Sequence, residues 1–210
     1  MSTYKTSIVG LGSMGYGMAQ SLLRAGHGVQ GFDINADTTA RFTNEGGQSG
    51  AQSDAAGQCD CLVVVVLNAA QTESVLFGDE GWAAQLKQGA TVIACATVAP
   101  EFAKDMEARC NAMGLHYLDA PISGGAAKAA LGKLSIMASG TPAAFDGAAP
   151  ALDAMAETVF RLGDAAGAGS AMKAVNQLLA GVHIAAMAEA LTFGMTQGVS
   201  PDKFVEVISQ

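Results

Sequence analysis

The glycine-rich segment at residues 8–19 constrains the fold more than any other part of the sequence. It reads IVGLGSMGYGMA and places Gly10, Gly12 and Gly15 between an apolar, β-branched run and a stretch of helical composition. In a strand–turn–helix unit the first glycine permits a tight turn and the second lets the backbone approach a pyrophosphate. The third glycine lets helix and strand pack closely. The segment therefore predicts a turn that binds dinucleotide phosphates.

An acidic residue at the end of the next strand indicates which nucleotide is bound. Asp33 ends the run from Val29 and lies 23 residues after Gly10, close to the spacing expected for a carboxylate that accepts hydrogen bonds from the ribose hydroxyls. Ile34 and Asn35 follow it, so no arginine is placed to hold a 2′-phosphate, and NAD is favoured over NADP. The alternative is a glycine turn that only packs, with Asp33 as an ordinary turn residue. The predicted cofactor-binding turn comprises Gly10, Leu11, Gly12, Ser13, Met14 and Gly15.

Short apolar runs alternate with Ala-, Leu- and Met-rich stretches along the first three quarters of the chain. This is the pattern of βαβ units, and it predicts an α/β fold with a Rossmann-type, doubly wound, mostly parallel sheet. Residues 1–163 form the predicted NAD-binding domain. Residues 164–210 read as one long helix over about 170–196 and a short helix from Pro201, the start of an all-α second domain. Such a segment is too short to form a hydrophobic core of its own. Either a partner chain covers it or the natural protein continues past Gln210, and we favour the second.

Composition excludes several classes of function. The formal net charge of −8 over 210 residues argues against a nucleic-acid partner, because a phosphate backbone requires a basic surface. The longest uninterrupted apolar run, residues 61–67, is too short for a bilayer, and the amino terminus lacks an apolar signal region, so we expect a cytoplasmic protein without a membrane segment. The four cysteines form no CxxC pair, and we expect no metal site.

Lys173 is the strongest candidate for acid/base chemistry. It follows a glycine-rich approach, and Asn176 and Gln177 lie three and four residues further on, on the same face of a helix. Among Ala, Met, Val and Leu its amine is poorly solvated, which lowers its pKa and lets it exchange a proton with an alcohol. An equally good interpretation is that the aliphatic part of the Lys173 side chain covers apolar surface while its amine reaches water.

A second candidate is the strand end DAPISGG at residues 119–125. Backbone N–H groups beside the Ser123 hydroxyl, at Gly124 and Gly125, form a plausible cradle for a carboxylate where ligands bind open α/β sheets. A plain tight turn is an equally good interpretation.

Taken together, GLGSMGYGMA, DAPISGG and the approach to Lys173 resemble the β-hydroxyacid dehydrogenase family over essentially the whole chain. The resemblance implies NAD-dependent oxidation of a small hydroxy acid, with Lys173 as the general acid/base. It also implies that Ser123, Gly124 and Gly125 hold the substrate carboxylate and that Asn176 and Gln177 position its polar groups. Leu67, Asn68 and Thr97 are expected to touch the cofactor.

Within the family, VVVVLNAAQTESVLFG and QLLAGVHIAAMAEAL look most similar to members that act on L-threonate. The resemblance leaves 3-hydroxyisobutyrate and tartronate semialdehyde as alternative substrates, and a non-catalytic NAD-binding scaffold as an alternative of another class. Two departures bear on the site: Gln177 stands where asparagine is frequent, and Ala96 where serine is common. Apolar residues around most of the 170–196 helix predict a homo-oligomer formed through the helical domain.

Overall fold

The computed structural model describes residues 4–209, which contain two β-sheets and nine α-helices. The larger sheet has five parallel strands in the order β2-β1-β3-β4-β5. Its strands are β1 (Lys5–Val9), β2 (Gly28–Phe32), β3 (Cys61–Val64), β4 (Thr91–Ala94) and β5 (His116–Asp119). The chain passes from β1 to β2 on one side and then to β3 on the other, so the strand order reverses beside β1. Open α/β sheets bind ligands at the carboxyl edge of such a reversal.

Helices connect these strands and cover the sheet. They are α1 (Gly15–Arg24), α2 (Ala36–Asn44), α3 (Gln52–Ala56), α4 (Ala69–Phe77) and α5 (Pro100–Ala112). A proline at the first helical position and Glu101 in the first turn start α5, whereas the Asn35 side chain caps α2 by accepting from the Asp37 N–H.

The central strands are buried on both faces, as a doubly wound parallel sheet requires. Val63 and Leu118 pack into one apolar cluster, and their neighbours Leu62, Val64 and Tyr117 pack into the other. This explains why β3 reads as a continuous apolar run without polar alternation. The doubly wound fold predicted from the sequence is confirmed.

Three further strands form a separate sheet in the order β6-β7-β8. They are β6 (Ile122–Ser123), β7 (Leu134–Ala138) and β8 (Ala156–Arg161), with β6 antiparallel and β8 parallel to β7. Helix α6 (Gly125–Leu131) joins β6 to β7, and α7 (Pro142–Met155) joins β7 to β8. Short runs at residues 134–138 and 158–161 of the sequence predict β7 and most of β8, whereas the two-residue β6 and the short α6 have no comparable pattern.

Helix α8 (Ala168–Thr196) and α9 (Pro201–Ile208) complete the chain. Two compact units are distinguished, one ending at Lys173 and the other beginning at Ala174, within α8. The boundary near residue 164 stays a prediction. In the second unit the chain turns after α8, where the Val199 N–H donates to the Gly194 carbonyl, and Ser200 caps α9.

Helix α8 is also long and apolar enough to span a bilayer, with a mean hydropathy of 1.5. Polar residues interrupt this helix, so the sequence shows no long unbroken apolar run there. Lys173, Asn176, Gln177, His183 and Glu189 all lie within its length.

Candidate active site

The turn between β1 and α1 has the geometry that its glycines predict. A Cβ on Gly10 would lie 2.1 Å from the Val65 carbonyl oxygen, and one on Gly15 would lie 1.8 Å from the Gly10 oxygen. These two glycines are therefore required by packing. A Cβ on Gly12 would meet nothing within 4 Å, so the space beside Gly12 is left for a ligand.

The start of α1 is suited to an anion. No side chain caps this helix at Met14, so its first N–H groups are not taken by a capping side chain. A helix amino terminus with unclaimed N–H groups attracts phosphate through hydrogen bonds and its partial positive charge. The turn thus fits the pyrophosphate of a dinucleotide.

Asp33 lies directly after β2 and touches the same turn. Its Oδ2 accepts from the Leu11 N–H at 2.6 Å, and its Oδ1 accepts from the Asn35 N–H at 2.8 Å. The half-buried carboxylate is therefore fixed beside the phosphate-binding turn, at the position expected for a ribose ligand. Ile34 is fully exposed beside it. The sequence placed Asp33 correctly but gave no sign of its bond to Leu11.

The other predicted cofactor residues follow β3 and β4, at the same carboxyl edge. Leu67 is 84% exposed, and its N–H donates to the Gln71 side chain at 2.8 Å. Asn68 caps α4 by accepting from the Gln71 N–H at 2.9 Å. Thr97 is exposed after β4. Leu67 and Asn68 follow β3, next to the point where the strand order reverses, and Thr97 follows β4.

Lys173 lies in the first turns of α8 and is only 8% exposed. Its Nζ donates a hydrogen bond to the Ile122 carbonyl oxygen at 2.9 Å. Burial lowers the pKa of this amine below the ordinary lysine value, because a charged ammonium loses solvation there. Of the two interpretations left open by the sequence, the solvent-reaching lysine is excluded.

The Ile122 bond brings Lys173 to the segment that carries Ser123, Gly124 and Gly125. Gly124 and Gly125 have φ values of +134° and +74°, which few residues other than glycine adopt. Both glycines are exposed, whereas Ser123 is half-buried. A buried amine with a lowered pKa is thus bonded to the strand that leads into these exposed glycines.

Asn176 and Gln177 lie three and four residues after Lys173 on α8. Asn176 is half-buried and Gln177 is exposed. Their spacing places both amides on the helix face that carries Lys173. Their contact with substrate stays a prediction.

The cysteines are thiols within the core. Cys59, Cys61, Cys95 and Cys110 are buried and free of disulfides. Burial raises the pKa of Cys95 to about 12. Over residues 4–209, no three His, Cys, Asp or Glu side chains gather in a metal-binding cluster.

The structure brings two groups to this region whose contacts the sequence interpretation did not predict. One is the Ile122 carbonyl, which has no sequence signature because any residue supplies it. The other is Asp119, whose buried carboxylate lies against the start of α8. For Asp119, the signal available in the sequence was an acidic residue at the end of strand β5.

Comparison with known proteins agrees with this geometry. Residues 5–163 match the model of the NAD binding domain of 6-phosphogluconate dehydrogenase, and residues 167–210 match the model of the NAD-binding domain of NADP-dependent 3-hydroxyisobutyrate dehydrogenase. An L-threonate dehydrogenase of Cupriavidus necator is 49% identical over 96% of this chain and 68% of its own length. The chain belongs to the β-hydroxyacid dehydrogenase family.

Two further relatives show how close the match is. An L-threonate dehydrogenase of Escherichia coli is 44% identical over 99% of this chain and 70% of its own length. The crystal structure of a 3-hydroxyisobutyrate dehydrogenase from Salmonella typhimurium has a TM-score of 0.91 at 44% identity, covering 98% of this chain and 72% of that one. Membership of the family makes this chain an NAD-dependent dehydrogenase of hydroxy acids, as the resemblance implied.

Proposed function

We propose that this chain oxidises L-threonate at its 2-hydroxyl, with NAD as the acceptor and Lys173 as the general acid/base. The observation that carries this proposal is the Lys173 amine, buried and bonded to the Ile122 carbonyl one residue before Ser123. The names of the Cupriavidus and Escherichia relatives support the substrate.

NAD, when bound, accepts the hydride that leaves the carbinol carbon. Because burial lowers the pKa of Lys173, more of its amine is neutral near pH 7 than for an exposed lysine. The neutral amine takes the proton of the 2-hydroxyl as the C–H bond breaks, which leaves a 2-oxo acid. In the reverse direction, the ammonium returns that proton to the carbonyl oxygen.

The substrate carboxylate is assigned to the segment that begins at Ser123. The Ser123 hydroxyl and the backbone N–H groups of Gly124 and Gly125 are donors of the kind that hold a carboxylate. Asn176 and Gln177 are assigned to the remaining hydroxyls because of their helical spacing from Lys173. A four-carbon sugar acid offers several hydroxyls for such amides to bind.

The cofactor is assigned to the carboxyl edge of the parallel sheet. The turn from Gly10 to Gly15, with Leu11, Ser13 and Met14, receives the pyrophosphate, since Gly12 leaves room and α1 is uncapped. Asp33 receives the adenosine ribose. Leu67, Asn68 and Thr97 border the nicotinamide half.

The role of Lys173 is tested by comparing Lys173→Ala with Lys133→Ala, which removes an exposed lysine near β7. With L-threonate and NAD, we expect Lys173→Ala to lower kcat at least about 100-fold, the usual contribution of a general acid/base. Lys133→Ala should stay within twofold of the wild type. A loss below about tenfold for Lys173→Ala would remove lysine from the chemistry.

Substrate choice is tested by comparing kcat/KM for L-threonate, 3-hydroxyisobutyrate and reduction of tartronate semialdehyde. The Salmonella structure carries the name of a 3-hydroxyisobutyrate dehydrogenase, which makes that acid the main alternative. We expect L-threonate to exceed each alternative at least about tenfold, roughly 1.4 kcal/mol of transition-state stabilisation. NAD binding with no turnover of any of these acids would favour a non-catalytic scaffold.

We also propose a cytoplasmic protein in which a second copy covers the apolar residues of α8 and α9. The large apolar side chains of Leu178, Ile184 and Phe193 are 69%, 72% and 68% exposed. Exposed apolar surface of this kind marks a site of contact with another protein or a membrane. We favour protein over a bilayer as the cover, because α8 carries two ionisable residues, Lys173 and Glu189, which are costly inside a membrane. Sedimentation should give a dimer or a larger assembly, and a monomer that needs detergent to stay in solution would contradict this.

A further inference from the structure

Asp119, the last residue of β5, is a buried carboxylate that the proposed chemistry does not use. It is 1% exposed. Its Oδ2 accepts from the Gly167 N–H at 3.0 Å, the Ser170 N–H at 2.8 Å and the Ser139 hydroxyl at 3.2 Å. Its Oδ1 accepts from the Ser170 hydroxyl at 2.6 Å. A buried charge of this kind is tolerated only when it is so thoroughly hydrogen-bonded.

Most of these donors belong to the start of α8. The residue before the helix is Gly167, which has no side chain with which to cap it. Asp119, at the end of β5, caps the helix instead, because its carboxylate binds N–H groups that have no partner within the helix. Its negative charge also lies at the positive end of the helix dipole.

Ser139 completes the attachment of the first helical turn. Its hydroxyl accepts from the Gly169 N–H at 2.9 Å while it donates to Asp119. The start of α8 also lies very close to β5 and β7. A Cβ on Gly169 would be 2.4 Å from the backbone carbonyl oxygen of Met137 and 2.8 Å from that of Asp119. The first turn of α8 is therefore fixed to β5 and to the end of β7.

Lys173 lies one turn further along the helix, three residues after Ser170. Its amine donates to Ile122, which is three residues after Asp119. The same short segment, residues 119–122, thus contacts α8 twice: through a carboxylate at the helix start and through a carbonyl at the amine. Ser123 follows immediately.

We propose that Asp119 is a positioning residue for Lys173. By holding the first turn of α8 against β5, it keeps the amine at the Ile122 carbonyl beside Ser123. The inference rests on the proposed role of Lys173. Asp119 itself touches neither substrate nor NAD in this account.

The test is a double-mutant cycle of Asp119→Asn and Lys173→Ala, with L-threonate as substrate. Asparagine keeps the size of the side chain but removes the charge and turns one acceptor into a donor. We expect Asp119→Asn alone to lower kcat at least about tenfold, since a shift of about 1 Å in a reacting group can cost 100-fold. The Kd for NAD should stay within twofold. Asp153→Asn, an exposed aspartate on α7, is the matched control and should match the wild type.

The double variant separates positioning from a general structural effect. If Asp119 acts through Lys173, the double variant is no slower than Lys173→Ala, because the group to be positioned is already gone. Additive losses, or a loss of NAD affinity equal to the loss of kcat, would show a general structural role and overturn the inference. If Asp119→Asn does not fold, Ser170→Ala removes only the hydroxyl bond and should show the same non-additivity with a smaller loss.

Failure of this inference is distinguishable from failure of the proposed function. A large loss for Lys173→Ala with Asp119→Asn within twofold of the wild type overturns the positioning role alone. A loss below tenfold for Lys173→Ala overturns both.

Discussion

The space beside Gly12 leads to a prediction in which a single methyl group weakens cofactor binding while the stability of the fold hardly changes. A Cβ on Gly12 would meet nothing within 4 Å, and the backbone φ of Gly12 lies outside the left-handed region. Gly12→Ala should therefore change the free energy of unfolding by no more than about 1 kcal/mol, since it mainly reduces the freedom of the unfolded chain. The expected Tm change is at most about 4 °C.

Cofactor binding should suffer from the same methyl group. It occupies the space through which a pyrophosphate reaches the backbone N–H groups of the turn. Losing one hydrogen bond to a charged phosphate costs about 1.5–3 kcal/mol. The Kd for NAD should then rise roughly 10- to 150-fold.

Two other glycine variants serve as comparisons for Gly12→Ala. Gly15→Ala places its Cβ 1.8 Å from the Gly10 oxygen, so the turn must open and we expect a loss of about 3 kcal/mol in stability. Gly57→Ala places its Cβ at an ordinary 3.6 Å from the Ser53 oxygen, so it should change the free energy of unfolding by no more than about 1 kcal/mol and leave the NAD affinity unchanged. Calorimetry gives the NAD affinity, and thermal unfolding gives the stability. Unchanged NAD affinity in folded Gly12→Ala would refute the assignment of this space to the pyrophosphate.

Two further predictions concern the nucleotide preference and the thiols. Asp33→Ala should lower the ratio of NAD to NADP affinity at least about tenfold, because the carboxylate that repels a 2′-phosphate is gone; an unchanged ratio would show that Asp33 does not contact the ribose. Cys95 is buried, with its pKa raised to about 12, so a thiol reagent at pH 8 should label it far more slowly in the native protein than in denaturant. Equal labelling rates would contradict the buried position.

The five-stranded sheet was predictable because each of its strands carries its own local signal. A strand such as β3 reads as an unbroken apolar run, and α1 follows a glycine turn with a known physical purpose. The short β6 and α6 lacked such signals. Two residues cannot show a period, and a seven-residue helix that begins at a glycine has no capping residue to mark it.

The sequence proposes the residues of the candidate site, and their roles stay predictions, but it does not give the contacts between them. The sequence identified Lys173 yet could not decide between a buried and a solvated amine, because that depends on contact with Ile122, 51 positions away. The bonds from Asp119 to Gly167 and Ser170 likewise join residues 48 and 51 positions apart. Such contacts follow from how the strands are arranged, which no local pattern specifies.

The most direct test of the catalytic role of Lys173 is the pH dependence of kcat/KM for L-threonate oxidation. Below its pKa the amine is protonated and cannot accept the hydroxyl proton, so the rate should rise with pH through that pKa and then level off. Because burial lowers the pKa of Lys173, the rise should lie below the pH at which an ordinary lysine titrates. The residual activity of Lys173→Ala should lack this rise. The same ascending limb in Lys173→Ala would show that another group takes the proton.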